Sequence, residues 1–354
     1  MPDTNDLVVL LLFFLLPVFA AGATFLFFVR YRLHKQPIRL TRLLFGNLLV
    51  LMLISSLALF AGELYFRYGY DTTDSFGLTK TTSRWFERHF QDNNVGYRDS
   101  QDYDLQIAEG RRRVTFLGDS FTVGHGIADV EDRFGNLVRQ ARPDLDVHVI
   151  ARAGADTGHE LWTLHSLASQ AYQLDLVILV YCLNDLSDIV PEWQQIMDRI
   201  YDSPKPNYLV QHSYLLNTWY YRWRSGQDPD VSNYYQFVRE NYLGQVWKEQ
   251  QRRLSTLQHE VETAGGRLLV VTFPFLHALS SEYAYEEVHQ ILDSFWKKQG
   301  VPHLDLLNTF AAHAPNEVTV NRYDAHPNEA AHAAAATAIL DFLKHEAGLS
   351  EGNP

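Results

Sequence analysis

Two long apolar runs open the chain. Leu7 to Val29 carries no charge, and at ~1.5 Å per residue a helix of that length crosses the ~30 Å hydrocarbon core of a bilayer. Leu43 to about Leu64 is a second such run, with Asn47, Ser55 and Ser56 inside it and no charge before Glu63. Residues 67–111 are polar and aromatic without a strong period. A regular alternation then begins. The pattern predicts strands over Arg113–Leu117, Asp146–Ile150, Asp175–Tyr181, Arg267–Phe273 and Pro302–Leu306. It predicts helices over Arg133–Arg142, Glu160–Tyr172, Trp247–Ala264, Glu286–Gln299 and Ala330–His345. Asp175–Tyr181 is almost wholly apolar, as a strand buried on both faces of a parallel sheet must be. Strands alternating with helices predict an α/β domain with a parallel sheet covered on both sides.

The predicted organisation is a two-helix transmembrane hairpin (1–66), a juxtamembrane linker and entry segment (67–111), and an α/β domain (112–348). An insertion at about 188–246 breaks the alternation. It is rich in Tyr and Trp, among them Tyr201, Tyr208, Tyr214, Trp219, Trp223, Tyr234, Tyr235 and Tyr242. It is expected to form a cap over the site, with its own small core and with aromatics able to stack on sugar rings or rest at a membrane interface. A cleaved signal peptide is disfavoured for the first run, because acidic Asp3 and Asp6 precede it and it is longer than a signal core. Arg30, Arg32, Lys35, Arg39 and Arg42 lie between the runs with no acid among them. Positive loops stay cytoplasmic, so the domain after residue 66 is expected to face outward.

Composition narrows the function. A net charge of −12 supplies no basic stripe for phosphate contacts, so nucleic acid is not an expected partner. The single cysteine, Cys182, lies in an apolar run and reads as a core residue. No histidine spacing suggests a metal site, and no cofactor is expected.

Four segments fall at the carboxyl ends of predicted strands or before the last helix, where open α/β sheets bind ligands. Phe116-Leu-Gly-Asp-Ser-Phe-Thr-Val-Gly124 puts Ser120 directly after a strand and a tight-turn glycine. Ala151-Arg-Ala-Gly-Ala-Asp-Thr-Gly158 offers the backbone N–H of Gly154, either to an oxyanion or as an ordinary turn glycine. Tyr181-Cys-Leu-Asn-Asp185 offers the Asn184 amide as a second oxyanion donor, or as a helix cap together with Asp185. Tyr323-Asp-Ala-His-Pro-Asn-Glu-Ala-Ala-His332 supplies His326 as a base for Ser120, with Asp324 to orient its ring. His332 is the competing base.

With these blocks in this order, the chain resembles the SGNH (GDSL-type) hydrolases over roughly residues 112–345. The resemblance implies a three-layer α/β/α, flavodoxin-like fold preceded here by two transmembrane helices. It also implies a serine esterase whose acyl-enzyme forms on Ser120, with His326 and Asp324 catalytic. Ser120, Gly154 and Asn184 would form the oxyanion hole. Three positions depart from the family pattern. Phe121 stands where leucine is usual, and Cys182 stands where the third block has glycine. Asp324 precedes the histidine by two residues rather than three, which leaves a backbone carbonyl as the alternative orienting group. The expected setting is a bacterial inner membrane, with the catalytic domain in the periplasm or at the outer surface. The expected substrates are O-acyl groups of envelope glycans or lipid esters. O-acyl transfer to a glycan by the same serine, and a non-catalytic glycan-binding module, are the alternatives. A two-helix hairpin also leaves room for a membrane-protein partner.

Overall fold

The computed structural model describes residues 3–33, 39–201, 206–227, 229, 237–346 and 348. Lys35, Tyr234 and Tyr235 lie outside the described residues. The chain divides into two compact units. One comprises Met1–Thr72, Leu78–Arg84 and Asp202–Gln227; the other comprises Thr73–Gly77, Trp85–Tyr201 and Asp228–Pro354.

The first unit is built on α1 (Thr4–Leu33) and α2 (Leu40–Leu64). Both are long and apolar enough to cross a membrane, and few of their residues are buried. They pack through Phe14 on Phe60 and Phe27 on Phe45, with Gly46 letting the Phe27 ring approach closely. Phe19, Phe25 and Leu26 are about two-thirds exposed. Apolar side chains left outside on a helix pair are suited to lipid rather than water.

At the end of α2 the character changes. Glu63 and Arg67 are buried and paired at 2.7 Å. The Glu63 carboxylate accepts hydrogen bonds from Ser213 Oγ (2.6 Å) and the Tyr214 and Leu215 amides. Arg67 also donates to the Asp6 and His212 carbonyls. Part of the aromatic insertion thus belongs to the hairpin's own unit.

The second unit carries the sheet. Its elements begin with α3, Lys80–His89, of which only the later residues belong to this unit. Next come β1 (Arg112–Gly118), α4 (Ser120–Val123), α5 (Phe134–Ala141), β2 (Leu145–Ala151), α6 (Thr157–Ser169) and β3 (Leu176–Cys182). The insertion adds α7 (Pro191–Tyr201) here, whereas α8 (Tyr208–His212) and α9 (Tyr214–Ser225) fall in the first unit. The chain continues with α10 (Gln245–Thr263), β4 (Arg267–Phe273), α11 (Glu286–Gln299) and β5 (His303–Asp305). It closes with β6 (Thr319–Asn321), β7 (Asp324–Pro327) and α12 (Glu329–Glu346).

Five strands form one parallel sheet in the order β2-β1-β3-β4-β5. Every residue of β3 is buried, as its apolar run requires. On the flanks α5 packs with α12, and α6 with α10, giving the three-layer α/β/α arrangement. The chain leaves β1 toward β2 and then returns to β3 on the other side. This makes the carboxyl ends of β1 and β3 a topological switch point.

Three features depart from the local pattern. The segment before the sheet contains the helix α3. The fifth strand is shorter than expected. The histidine block lies in an antiparallel ribbon, β6–β7. The ribbon strands have three and four residues, too few to register as a period.

Candidate active site

β1 delivers the serine. Gly118 ends the strand where a Cβ would lie 2.4 Å from Thr122 Oγ1 and 2.8 Å from the Val180 carbonyl, so only glycine fits. Asp119 then caps α4, its carboxylate accepting from the Phe121 amide at 2.8 Å. Ser120 is the first residue of that turn. Gly124, with φ +75°, ends it.

β7 delivers the other two residues. Side chains at i and i+2 of a strand share a face. The two-residue Asp-x-His spacing therefore puts Asp324 and His326 side by side. His326 Nδ1 lies 2.6 Å from Asp324 Oδ1, and His326 Nε2 lies 2.8 Å from Ser120 Oγ. The His326 amide donates to the same carboxylate oxygen. Burial would raise the Asp324 carboxyl, but the neighbouring His326 and His125 hold it well below the usual carboxylate range. A charged Asp324 fixes the proton on Nδ1 and leaves Nε2 free to accept one from Ser120. Burial, with His125 beside it, lowers His326 below the ordinary histidine value against the pull of Asp324. That direction favours the neutral ring, the form able to accept a proton.

The donors expected for an oxyanion follow the neighbouring strands. Asn184 comes just after β3 and lines a cavity of about 60 Å³ beside His326. Phe121, Phe275, Phe76 and His277 are also in its wall. Gly154 lies on the exposed turn after β2, with φ +76°. Asp185 turns back on its own loop, accepting from the Cys182 amide at 2.9 Å. Cys182 is buried, and burial raises its thiol well above the ordinary value. His332 is fully buried; its Nδ1 accepts from the Phe134 amide, and burial pushes it down to about 3. It packs on the Phe134 ring with centroids 5.3 Å apart, as a core histidine. A larger open groove of about 870 Å³ lies between α10 and α11 and holds none of these residues.

Several contributors had no clear mark in the sequence. His125 stacks on His326 with ring centroids 4.0 Å apart, and its Nε2 lies 3.4 Å from Asp324 Oδ2. Its position five residues after Ser120 gains meaning only once the fold is known. His125, Asp324 and His326 present donor atoms within 4.8 Å of one another, a set that could hold a metal ion. Here His326 Nε2 faces Ser120 and its Nδ1 faces Asp324, an arrangement for moving a proton. The Thr73 hydroxyl donates to Asp324 Oδ2. Behind α4, Arg98 donates to the Gly124 carbonyl (2.6 Å) and the Val123 carbonyl (3.2 Å). Arg133 donates to the Arg98 carbonyl, and Arg133 and Arg139 both pair with the buried Asp99.

Residues 116–334 match the GDSL-like lipase/acylhydrolase family. No curated protein matches the chain. Among solved structures, it is similar to an extracellular lipase from Streptomyces rimosus (13% identity, 65% of this chain and 99% of that one, TM-score 0.42). It is also similar to a mutant of an acetyl-xylooligosaccharide esterase from Geobacillus (16% identity, 68% and 98%, TM-score 0.40). A G-D-S-L family lipolytic protein from Veillonella parvula is a third (11% identity, 66% and 99%, TM-score 0.41). The family match spans more than half of the chain, and the chain belongs to the GDSL-like lipase/acylhydrolase family, the SGNH-type serine hydrolases that act on esters.

Proposed function

We propose that this protein is an extracytoplasmic esterase that removes short O-acyl groups, such as acetyl, from envelope glycans through an acyl-enzyme on Ser120. The observation that carries the reading is the run of contacts Asp324–His326–Ser120, at 2.6 and 2.8 Å. In this mechanism His326 takes the hydroxyl proton as Ser120 Oγ attacks the ester carbonyl. The Ser120 and Gly154 N–H groups and the Asn184 amide receive the oxyanion. The C–O bond to the alcohol breaks, and His326 returns its proton to that oxygen. Water, deprotonated by His326, then releases the acid and frees the serine.

Cavity size bears on the acyl group. The recess beside Asn184 and His326 is small and walled by Phe76, Phe121 and Phe275, which favours an acetyl-sized group over a lipid chain. Orientation rests on the cationic residues between the two apolar runs, with acidic Asp3 and Asp6 ahead of the first, which favours an outward-facing domain in a two-pass bacterial inner-membrane protein.

The test uses the full chain in detergent. It is incubated with a fluorophosphonate and with p-nitrophenyl esters of increasing chain length, beside Ser120→Ala. Labelling, and turnover that falls as the acyl chain lengthens, support the reading when both vanish in the variant. A folded wild-type protein that neither labels nor turns over refutes it. Acetate appearing on an added oligosaccharide instead of in water would make the enzyme an acyltransferase.

A further inference from the structure

The family match begins at residue 116, yet the site draws on a segment some forty residues earlier. Thr73–Gly77 lies along the histidine block. Thr73 is buried; its hydroxyl donates to Asp324 Oδ2, and its carbonyl accepts from Asn321 Nδ2 at 3.0 Å. The Ser75 amide donates to the Tyr323 carbonyl at 3.1 Å, and Ser75 Oγ accepts from the Ala325 amide at 2.9 Å. The Phe76 carbonyl accepts from Tyr201 at 2.9 Å. Ser75 and Phe76 form part of the cavity wall beside Asn184 and His326. Gly126, with φ +89°, makes room, since a Cβ there would come within 3.1 Å of Thr73 Oγ1.

The ribbon that carries Asp324 and His326 is short, with three residues in one strand and four in the other. Its own ladder restrains those side chains weakly. A carboxylate that offers one oxygen to a histidine needs its second oxygen held, or it turns about its last bond and the imidazole loses its orientation. Thr73 meets that need from one side, and His125 approaches the same oxygen from another.

We propose that Thr73–Gly77 is a catalytic strap, in which Thr73 is a positioning residue for Asp324 and Phe76 sets the length of acyl group the cavity accepts. This rests on the esterase reading above and extends the working site beyond the region shared with the family. Thr73 touches no reacting atom; it acts through Asp324 on His326.

The experiment uses the full chain in detergent with Thr73→Val, Thr73→Ser and Phe76→Ala. The readouts are kcat and KM on p-nitrophenyl acetate, the chain-length profile from acetate to octanoate, and the downfield proton resonance of the His326–Asp324 hydrogen bond. Thr73→Val should lower kcat by roughly 10- to 100-fold with KM little changed, as loss of a hydrogen bond to a charged group predicts. It should also broaden the resonance, and Thr73→Ser should restore both. Phe76→Ala should move the preferred ester toward longer chains. The strap is overturned if Thr73→Val keeps kcat within twofold of wild type with the resonance unchanged, or if Phe76→Ala leaves the chain-length preference where it was. Should Thr73→Val fail to fold, a Thr73→Ser protein that is folded but as slow as an inactive control would equally overturn it. A wild type that shows the resonance, loses it in Thr73→Val, and yet turns over no ester would refute the esterase reading and leave the Thr73–Asp324 contact standing.

Discussion

His326 Nε2 stands 2.8 Å from Ser120 Oγ although 206 positions of chain separate them. The two residues come from different elements, β7 and the turn after β1, and meet at the switch point of the sheet. If they act as one proton-transfer unit, Ser120→Ala and His326→Ala should each reduce kcat by on the order of 10⁴-fold or more, and the double variant should be little worse than either. Single-turnover and steady-state rates on p-nitrophenyl acetate check this. Additive losses would mean that the residues act separately.

Asn184 sits in the cavity wall beside His326, while Asp185 is the residue that ties down the loop through the Cys182 amide. Asn184→Ala is therefore expected to lower kcat by roughly 100- to 1,000-fold, in line with loss of one oxyanion donor, with little change in melting temperature. Asp185→Ala should do the reverse and lower the melting temperature first. Thermal melts run beside the kinetics separate the two roles.

The pH profile follows from the neighbours of His326. Only the neutral ring accepts the serine proton, so kcat/KM should rise with pH through the His326 value, which lies below the ordinary ~6.5. His125 lowers that value and Asp324 raises it. His125→Phe keeps a ring in the stack but removes the coulombic lowering of His326, so the acidic limb should move up in pH. Asp324→Asn should move it down and, by releasing the ring, cut the plateau by roughly 10²–10⁴-fold. Limbs that both stay in place would show that another group titrates.

Asp99 links the arginines behind α4. Burial opposes its ionisation, but hydrogen bonding and charge from Arg139, with Arg133, hold its carboxyl far below the usual value. That stabilisation is fully present above the ordinary value of ~3.9 and fades as pH falls below it toward the depressed folded value. Asp99→Asn leaves buried guanidinium groups uncompensated and should cost about 3–5 kcal/mol at neutral pH, measured by denaturant unfolding. Because Arg98 and Arg133 hold the turn after Ser120, ester turnover in this variant should be lost at a lower temperature than in wild type.

Much of the architecture was legible along the chain. Val177 to Tyr181 is so apolar that only a strand covered on both faces can hold it, and β3 is that strand. Gly118, two residues before Ser120, marks a turn that admits no side chain. The two opening runs are long enough to span a bilayer and too apolar for water, and they form two helices with outward-facing Leu and Phe. These features are local. Each follows from a period, a run length or a steric limit that a few neighbouring residues set by themselves.

What the chain left open was decided by contacts between distant segments. The Asp-x-His spacing reads as a departure until β7 makes it a strand, where alternate side chains face one way and both point into the site. Nothing near Thr73 announces a partner 251 positions later. No local period tells that α8 and α9 of the aromatic insertion join the hairpin's unit, where the Glu63 carboxylate at the end of an apolar run meets buried donors from Ser213, Tyr214 and Leu215. A carboxylate taken out of water is stable only where hydrogen-bond donors surround it, and which donors do so depends on how the chain packs, not on the residues beside it in sequence.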